Sequence, residues 1–173
     1  IIIEYAAGAS SGSANTSARI VKIFDGRSVP TLGGQDPSLP TWQFVWQSGH
    51  LASVQDYNGV YHRTLQYSGE IAVKSPFGSD GATYGTTRTL SSVSTGTGKS
   101  FAFQYGSRDG ATTGELGRYV LPYGGALRWD IRDFTYLGNR TAREVWIRYL
   151  QAQPGGPETR HVWWRDDAGS AQR

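Results

Sequence analysis

The chain has 173 residues, contains neither cysteine nor methionine, and balances 17 basic against 14 acidic residues for a formal charge of +3. That length suffices for one domain with a hydrophobic core, and the missing cysteines exclude disulfides, thiolate catalysis and cysteine-based zinc or iron–sulfur sites. The arginines are spread among acidic residues and no apolar run approaches the ~20 residues of a membrane-spanning helix, so neither nucleic-acid binding nor a membrane span is expected.

The 23 glycines and an aromatic content of 13 % describe short aromatic runs separated by small residues, the composition of many strands joined by turns. Residues 1–5, IIIEY, are mostly apolar, and residues 6–18, AAGASSGSANTSA, are too small and polar to bury themselves. Together they read as a flexible N-terminal arm, 1–18, whose tip either frays or adds a strand to a neighbouring subunit. The opening at Ile1, without an initiator methionine, reads as a processed chain, a fragment of a longer product or a chain whose start lies elsewhere. A β-sandwich domain is expected over 19–166, followed by a polar tail, 167–173.

Strands are expected first at 20–24, closed by Asp25-Gly26, and then at 42–46 beyond a proline- and glycine-rich loop at 30–40. Residues 51–57 and 60–67 flank Asn58-Gly59, a strong hairpin signal. A strand at 70–74 leads into a long loop at 75–85. Next come 86–93 and 100–105, separated by STGTGK.

Gly98-Lys99-Ser100 has the look of a phosphate-binding loop ending. In the full motif a first glycine opens the loop and a helix follows the lysine. Here Val93 occupies the first-glycine position, and Phe101, Phe103 and Tyr105 alternate as in a strand. A strand–turn–strand is expected, not a nucleotide site. Beyond it, residues 106–114 read as a glycine-rich loop, 116–121 as a strand and 122–125 as a turn. Residues 126–132 place Leu127, Trp129 and Ile131 on one side, and 144–150 place Val145, Ile147 and Tyr149 together. A turn at 154–157 precedes a last strand at 160–165.

About ten short strands without an amphipathic helix predict an all-β fold, an antiparallel β-sandwich of jelly-roll-like character. The expected core comprises Phe101, Phe103, Tyr105, Leu127, Trp129, Ile131, Val145, Ile147 and Tyr149. The runs Phe101–Tyr105, Gly114–Arg118 and Arg143–Tyr149 resemble concanavalin A-like jelly-roll modules of polysaccharide lyases, lectin-like domains and bacteriophage tail or surface proteins. The resemblance spans roughly residues 100–150. It implies an architecture and a habit of meeting sugars or building virions, and no catalytic residue is carried over from it.

His50, His62 and His161 are far apart and lack metal-ligand spacing, so neither a metal nor a cofactor is expected. Glu70, Glu115, Asp130, Glu144 and Glu158 are available acids, but the sequence alone does not pair any two across a cleft. Nothing in the sequence requires an enzyme. Two glycosylation sequons, at Asn15 and Asn139, matter only in a secretory pathway.

The aromatic placement is more informative. Trp163 and Trp164 are adjacent in an expected strand and must point to opposite faces, so one of them stands outward with Arg160 and Arg165. Trp146 stands opposite Val145 and Ile147, beside Arg148. Such arginine–tryptophan surfaces suit a sugar face or a subunit interface. The expected protein is therefore a non-enzymatic structural or adhesive module of an extracellular or virion-surface assembly. Its partners would be other subunits, as a homo-oligomer or in a virion, and polysaccharide. The alternative is a carbohydrate-active enzyme or its carbohydrate-binding module.

ATP and GTP should show no binding by calorimetry. Micromolar affinity that disappears in Lys99→Ala would overturn the strand–turn reading.

Overall fold

The computed structural model describes residues 1–6, 18–24, 40–58, 60–77 and 82–162. These contain thirteen strands and one short 3₁₀ turn, Leu137–Asn139, with no α-helix among the described residues. The expectation of an all-β fold built on antiparallel pairing holds. The chain divides into two compact units, Ile1–Gln66 with Val93–Lys99, and Tyr67–Ser92 with Ser100–Arg173.

In the first unit β1 (Ile2–Ala6), β2 (Arg19–Phe24), β3 (Trp42–Gln47), β4 (His50–Asp56) and β5 (His62–Tyr67) pair in sequence order, each antiparallel to the next. The apolar tip expected to be part of a free arm lies on β2 of its own chain, with Ile2 opposite Phe24 and Ile3 opposite Ile23. β-Branched residues fit a pleated surface, and Glu4 opposite Lys22 adds an ion pair at 3.6 Å. The rest of the expected arm, 7–17, lies outside the described residues, as do most of the loop at 30–40 and the Asp25-Gly26 turn.

Ser48 and Gly49 both have positive φ, 47° and 83°, the backbone that matches a two-residue hairpin to strand twist. The hairpin expected at Asn58 is present: Asp56 N–H donates to the Tyr61 carbonyl, and Val60 N–H to Asn58 Oδ1. Phe24 is 1 % exposed and anchors this unit. Trp46 Nε1 donates to the Ile20 carbonyl at 2.9 Å beneath the Arg19 guanidinium, and Trp42 meets Tyr61 edge-on at 5.0 Å.

The Gly-Lys-Ser stretch is a turn between β8 (Leu90–Thr95) and β9 (Ser100–Arg108). Thr95 N–H donates to the Lys99 carbonyl at 2.7 Å, and Gly98, at φ 79°, closes back onto the Thr95 carbonyl. No helix follows the lysine, so the backbone does not gather its N–H groups around a phosphate.

In the second unit β9, β10 (Ala111–Val120), β11 (Ala126–Tyr136), β12 (Arg140–Gln151) and β13 (Glu158–Val162) run as an antiparallel meander. β6 (Ile71–Lys74) lies parallel to β10 at Val73 and Thr112, and pairs antiparallel with β7 (Thr83–Thr87), which occupies part of the loop expected at 75–85. The glycine-rich loop expected at 106–114 is instead strand on both sides of a tight Asp109-Gly110 turn. Its glycines mark irregularities within strands: the β9–β10 register shifts across Gly114, at φ 74°, and again across Gly117.

One further shift decides which side chains share a face. Asp130 pairs with Ile147, but Ile131 pairs with Val145, so Trp146 has no opposite number on β11 and forms a β-bulge. Ile147 and Tyr149 therefore face with Asp130, whereas Val145 crosses to the face of Ile131 and Trp129. The expected trio Val145, Ile147 and Tyr149 is split.

Of the expected core only Ile147 is fully buried; the other eight residues are half-buried. Phe101 stacks on Tyr119 with centroids 5.7 Å apart, and Phe103 tilts onto the same ring at 5.2 Å. The tightest burial in this unit is at Phe134, Ala111 and Ala126, each 2 % exposed. Phe134 escapes the sequence reading because the strand expected to stop at 132 continues to Tyr136.

Truncating a fully enclosed ring leaves a cavity, so Phe134→Ala should destabilise the protein by about 3–5 kcal/mol and Ile147→Ala by about 2–5 kcal/mol. Urea unfolding of both variants checks this; losses under about half a kcal/mol at both would show that these positions are not core.

Candidate ligand pocket

The bulge at Trp146 brings Arg143 to a pocket of the second unit. With uninterrupted pairing, Asp133 would face Glu144, two like charges directly opposed. The extra residue moves β12 by one position, so Asp133 faces Arg143. Arg143 then spans two acids. Its Nε and Nη2 donate to Oε1 and Oε2 of Glu115 on β10 at 2.9 and 2.8 Å, and its Nη1 donates to Asp133 Oδ1 at 3.1 Å. Thr113 Oγ1 donates to Glu115 Oε2 at 3.2 Å. The hydrogen bonds to Glu115, and after them those to Asp133, push the Arg143 guanidinium pKa upward, so it stays charged.

These groups rim a cavity of about 510 Å³ whose wall also includes half-buried Trp129, Gly106 and Gly117. A side chain at Gly106 would not fit: its Cβ would come within 2.7 Å of Thr113 Oγ1, the hydroxyl that supports Glu115. Trp129, expected in the core, thus has part of its surface on this cavity.

The opposite face of the same strands carries a second arginine clamp. Arg128 donates from Nε and Nη2 to Glu158 at 3.3 and 2.8 Å and from Nη1 to Asp130 at 2.6 Å, with its guanidinium 3.6 Å from the centre of the Tyr149 ring. Tyr149 Oη completes the group with a 2.9 Å bond to Asp130 Oδ2. Although Asp130 borders the cavity, its carboxylate is spent here. Arg118 joins through Gln151 at 2.7 Å and Glu158 at 3.6 Å. The hydrogen bond from Arg128 holds the Glu158 carboxyl below its ordinary value of 4.5.

The aromatic positions singled out in the sequence divide. The bulge turns Trp146 to the side of Phe134, at 6.4 Å, with Arg132 over both rings, and its buried Nε1 has no hydrogen-bond partner. Arg148 lies opposite Trp129, on the other face, so Trp146 and Arg148 do not form the expected platform. Arg160 is exposed on β13 opposite Tyr149. Trp163, Trp164 and Arg165 lie outside the described residues.

His50 and His62 belong to the first unit and His161 to β13. Of the candidate acids, Glu115 reaches the pocket, Asp130 and Glu158 the second clamp, and Glu144 accepts a hydrogen bond from Tyr136 Oη.

Sequence reasoning missed Arg143, Asp133 and Thr113. Arg143 lies 28 residues from Glu115, and no short-range pattern signals a contact between strands that the bulge brings into register. A hydrolytic acid pair needs one protonated carboxyl and one free to act as base or nucleophile. Glu115 instead commits both oxygens to Arg143. The arrangement is suited to holding a polar ligand against an aromatic face.

The chain matches no family model, no curated protein and no solved structure.

Glu158 supplies a test by pH. Its pKa is lowered in the folded state, so its contribution to stability is present above its unfolded value and is lost as pH falls through the folded one. Between about pH 6 and about pH 3, Glu158→Gln should lose less stability than the parent chain in thermal melts. Parallel losses in the two proteins would show that the clamp does not couple to folding.

Proposed function

We propose that the protein is a non-enzymatic adhesive module of an extracellular or virion-surface assembly, and that its second unit holds a glycan in the pocket beside Trp129. The observation that carries this reading is Trp129 set beside the Glu115–Arg143–Asp133 cluster. A sugar ring has an apolar face of C–H groups and an equator of hydroxyls. Trp129 offers an aromatic surface to the first, and the fixed carboxylates and guanidinium offer acceptors and donors to the second. The cavity volume falls within the range of small-ligand sites, roughly 300–1,000 Å³.

Engagement of both Glu115 oxygens favours binding over hydrolysis. The assembly part of the proposal is supported by β1, where Tyr5 is 56 % exposed and Ile2 and Ile3 are also open to solvent, with Ile1 just before it 90 % exposed. Apolar edge strands of that kind are ordinarily covered by another chain or blunted by charge.

A glycan array probed with the full chain tests the reading. Trp129→Ala should weaken retention of the best glycan at least about fivefold, since stacking of a flat ring on an aromatic side chain is worth about 1–3 kcal/mol when cut to Ala. Unchanged retention by that variant, or no retained glycan with the parent chain, would sink it. Release of reducing ends from a retained polysaccharide would move the protein to the carbohydrate-active enzymes.

A further inference from the structure

The charge balance of the pocket bears on which sugar it accepts. Glu115 and Asp133 set two carboxylates against one guanidinium, Arg143, which leaves the rim with one net negative charge. Asp130 does not change that count, because its carboxylate is bound by Arg128 and Tyr149 on the opposite face. Arg143 is the cation among the lining residues, and it already directs Nε, Nη1 and Nη2 to its two acids. An incoming carboxylate would have to displace one of them or sit beside both. Either route opposes like charges in a partly desolvated cavity, where screening is weaker than in open water.

A cation meets the reverse situation. Asp133 is 42 % exposed and uses Oδ1 on Arg143, so an ammonium can approach the carboxylate without breaking that bond. Trp129, on the same strand and the same face four residues away, presents an aromatic surface that attracts cations. The glycines of the wall leave room for the ring that carries the ammonium: Gly117 adds no side chain, and Gly106 tolerates none without displacing Thr113.

We infer that the pocket selects a cationic amino sugar, a hexosamine unit with a free ammonium group, and discriminates against uronates. This inference rests on the glycan reading proposed above and names its ligand class. Asp133 pairs with the ammonium, Trp129, roughly 13 Å along β11, receives the face of an adjoining sugar of the chain, and Glu115 stays locked to Arg143 as the fixed part of the rim.

Isothermal titration of the full chain with three tetrasaccharides tests the inference: a β-linked glucosamine tetramer, its fully N-acetylated counterpart and a uronate tetramer. The glucosamine tetramer should bind at least about tenfold more tightly than the uronate, and N-acetylation, which removes the charge and keeps the ring, should weaken binding several-fold. Asp133→Asn should abolish the difference between the free and acetylated tetramers. Equal or tighter uronate binding overturns the inference, as does an acetylated tetramer that binds the parent chain as well as the free amine. Those two comparisons use the unmodified protein and so do not depend on the variant folding. If none of the three binds, the glycan reading itself is lost along with its ligand class.

Discussion

The pairing of β11 with β12 turns on one residue left out of the ladder. Trp146 has no partner across the strand, and every contact on the far side of it is displaced by one position. Because side chains alternate with period two, a one-residue slip exchanges the faces of everything beyond it. The slip replaces an Asp133–Glu144 opposition with an Asp133–Arg143 pair, moves Val145 beside Ile131, and leaves the Trp146 ring against Phe134 and Arg132. Arg143 reaches the pocket beside Trp129 because of that displacement.

Each face of this hairpin is then organised by an arginine holding two acids: Arg143 between Glu115 and Asp133, Arg128 between Glu158 and Asp130. Partly exposed ion pairs contribute about 0–1 kcal/mol apiece, so these clamps are not what keeps the strands together. Ladder hydrogen bonds and the enclosure of Phe134, Ile147, Ala126 and Ala111 do that. The guanidiniums orient acids. A planar fork with several donors fixes two carboxylates at once, which a lysine in the same place would not do. In the pocket this gives a rim whose polar atoms are already fixed in place.

The first unit has a different character. Among its described residues the fully buried aromatic is Phe24, while Trp46 and Trp42 are held at half-buried positions by a hydrogen bond, a guanidinium and a neighbouring ring. Its outer strand, β1, shows isoleucines and a tyrosine to solvent, and Glu4 is matched to Lys22 on the inner side. One unit thus presents an apolar edge and the other a charged, aromatic-walled pocket.

The all-β character was legible in the residues themselves. Alternating aromatics at Phe101, Phe103 and Tyr105, and apolar residues at Leu127, Trp129 and Ile131, dictate strands whatever surrounds them, because period two has no helical solution. Val93 and the strand after Ser100 likewise excluded a phosphate loop by local geometry alone. Glycine was the harder signal: at 106–114 the sequence reads as loop, yet Gly114 and Gly117 sit at register shifts inside β10, since a glycine permits a bulge as readily as a turn. The bulge at Trp146 has no such mark, and with it went the correct faces of Val145 and Trp146. Local alternation determines that a segment is a strand; which acid meets Arg143 depends on the register between strands far apart in sequence. That register is set by cross-strand packing and charge over the whole hairpin, and only the tertiary structure decides it.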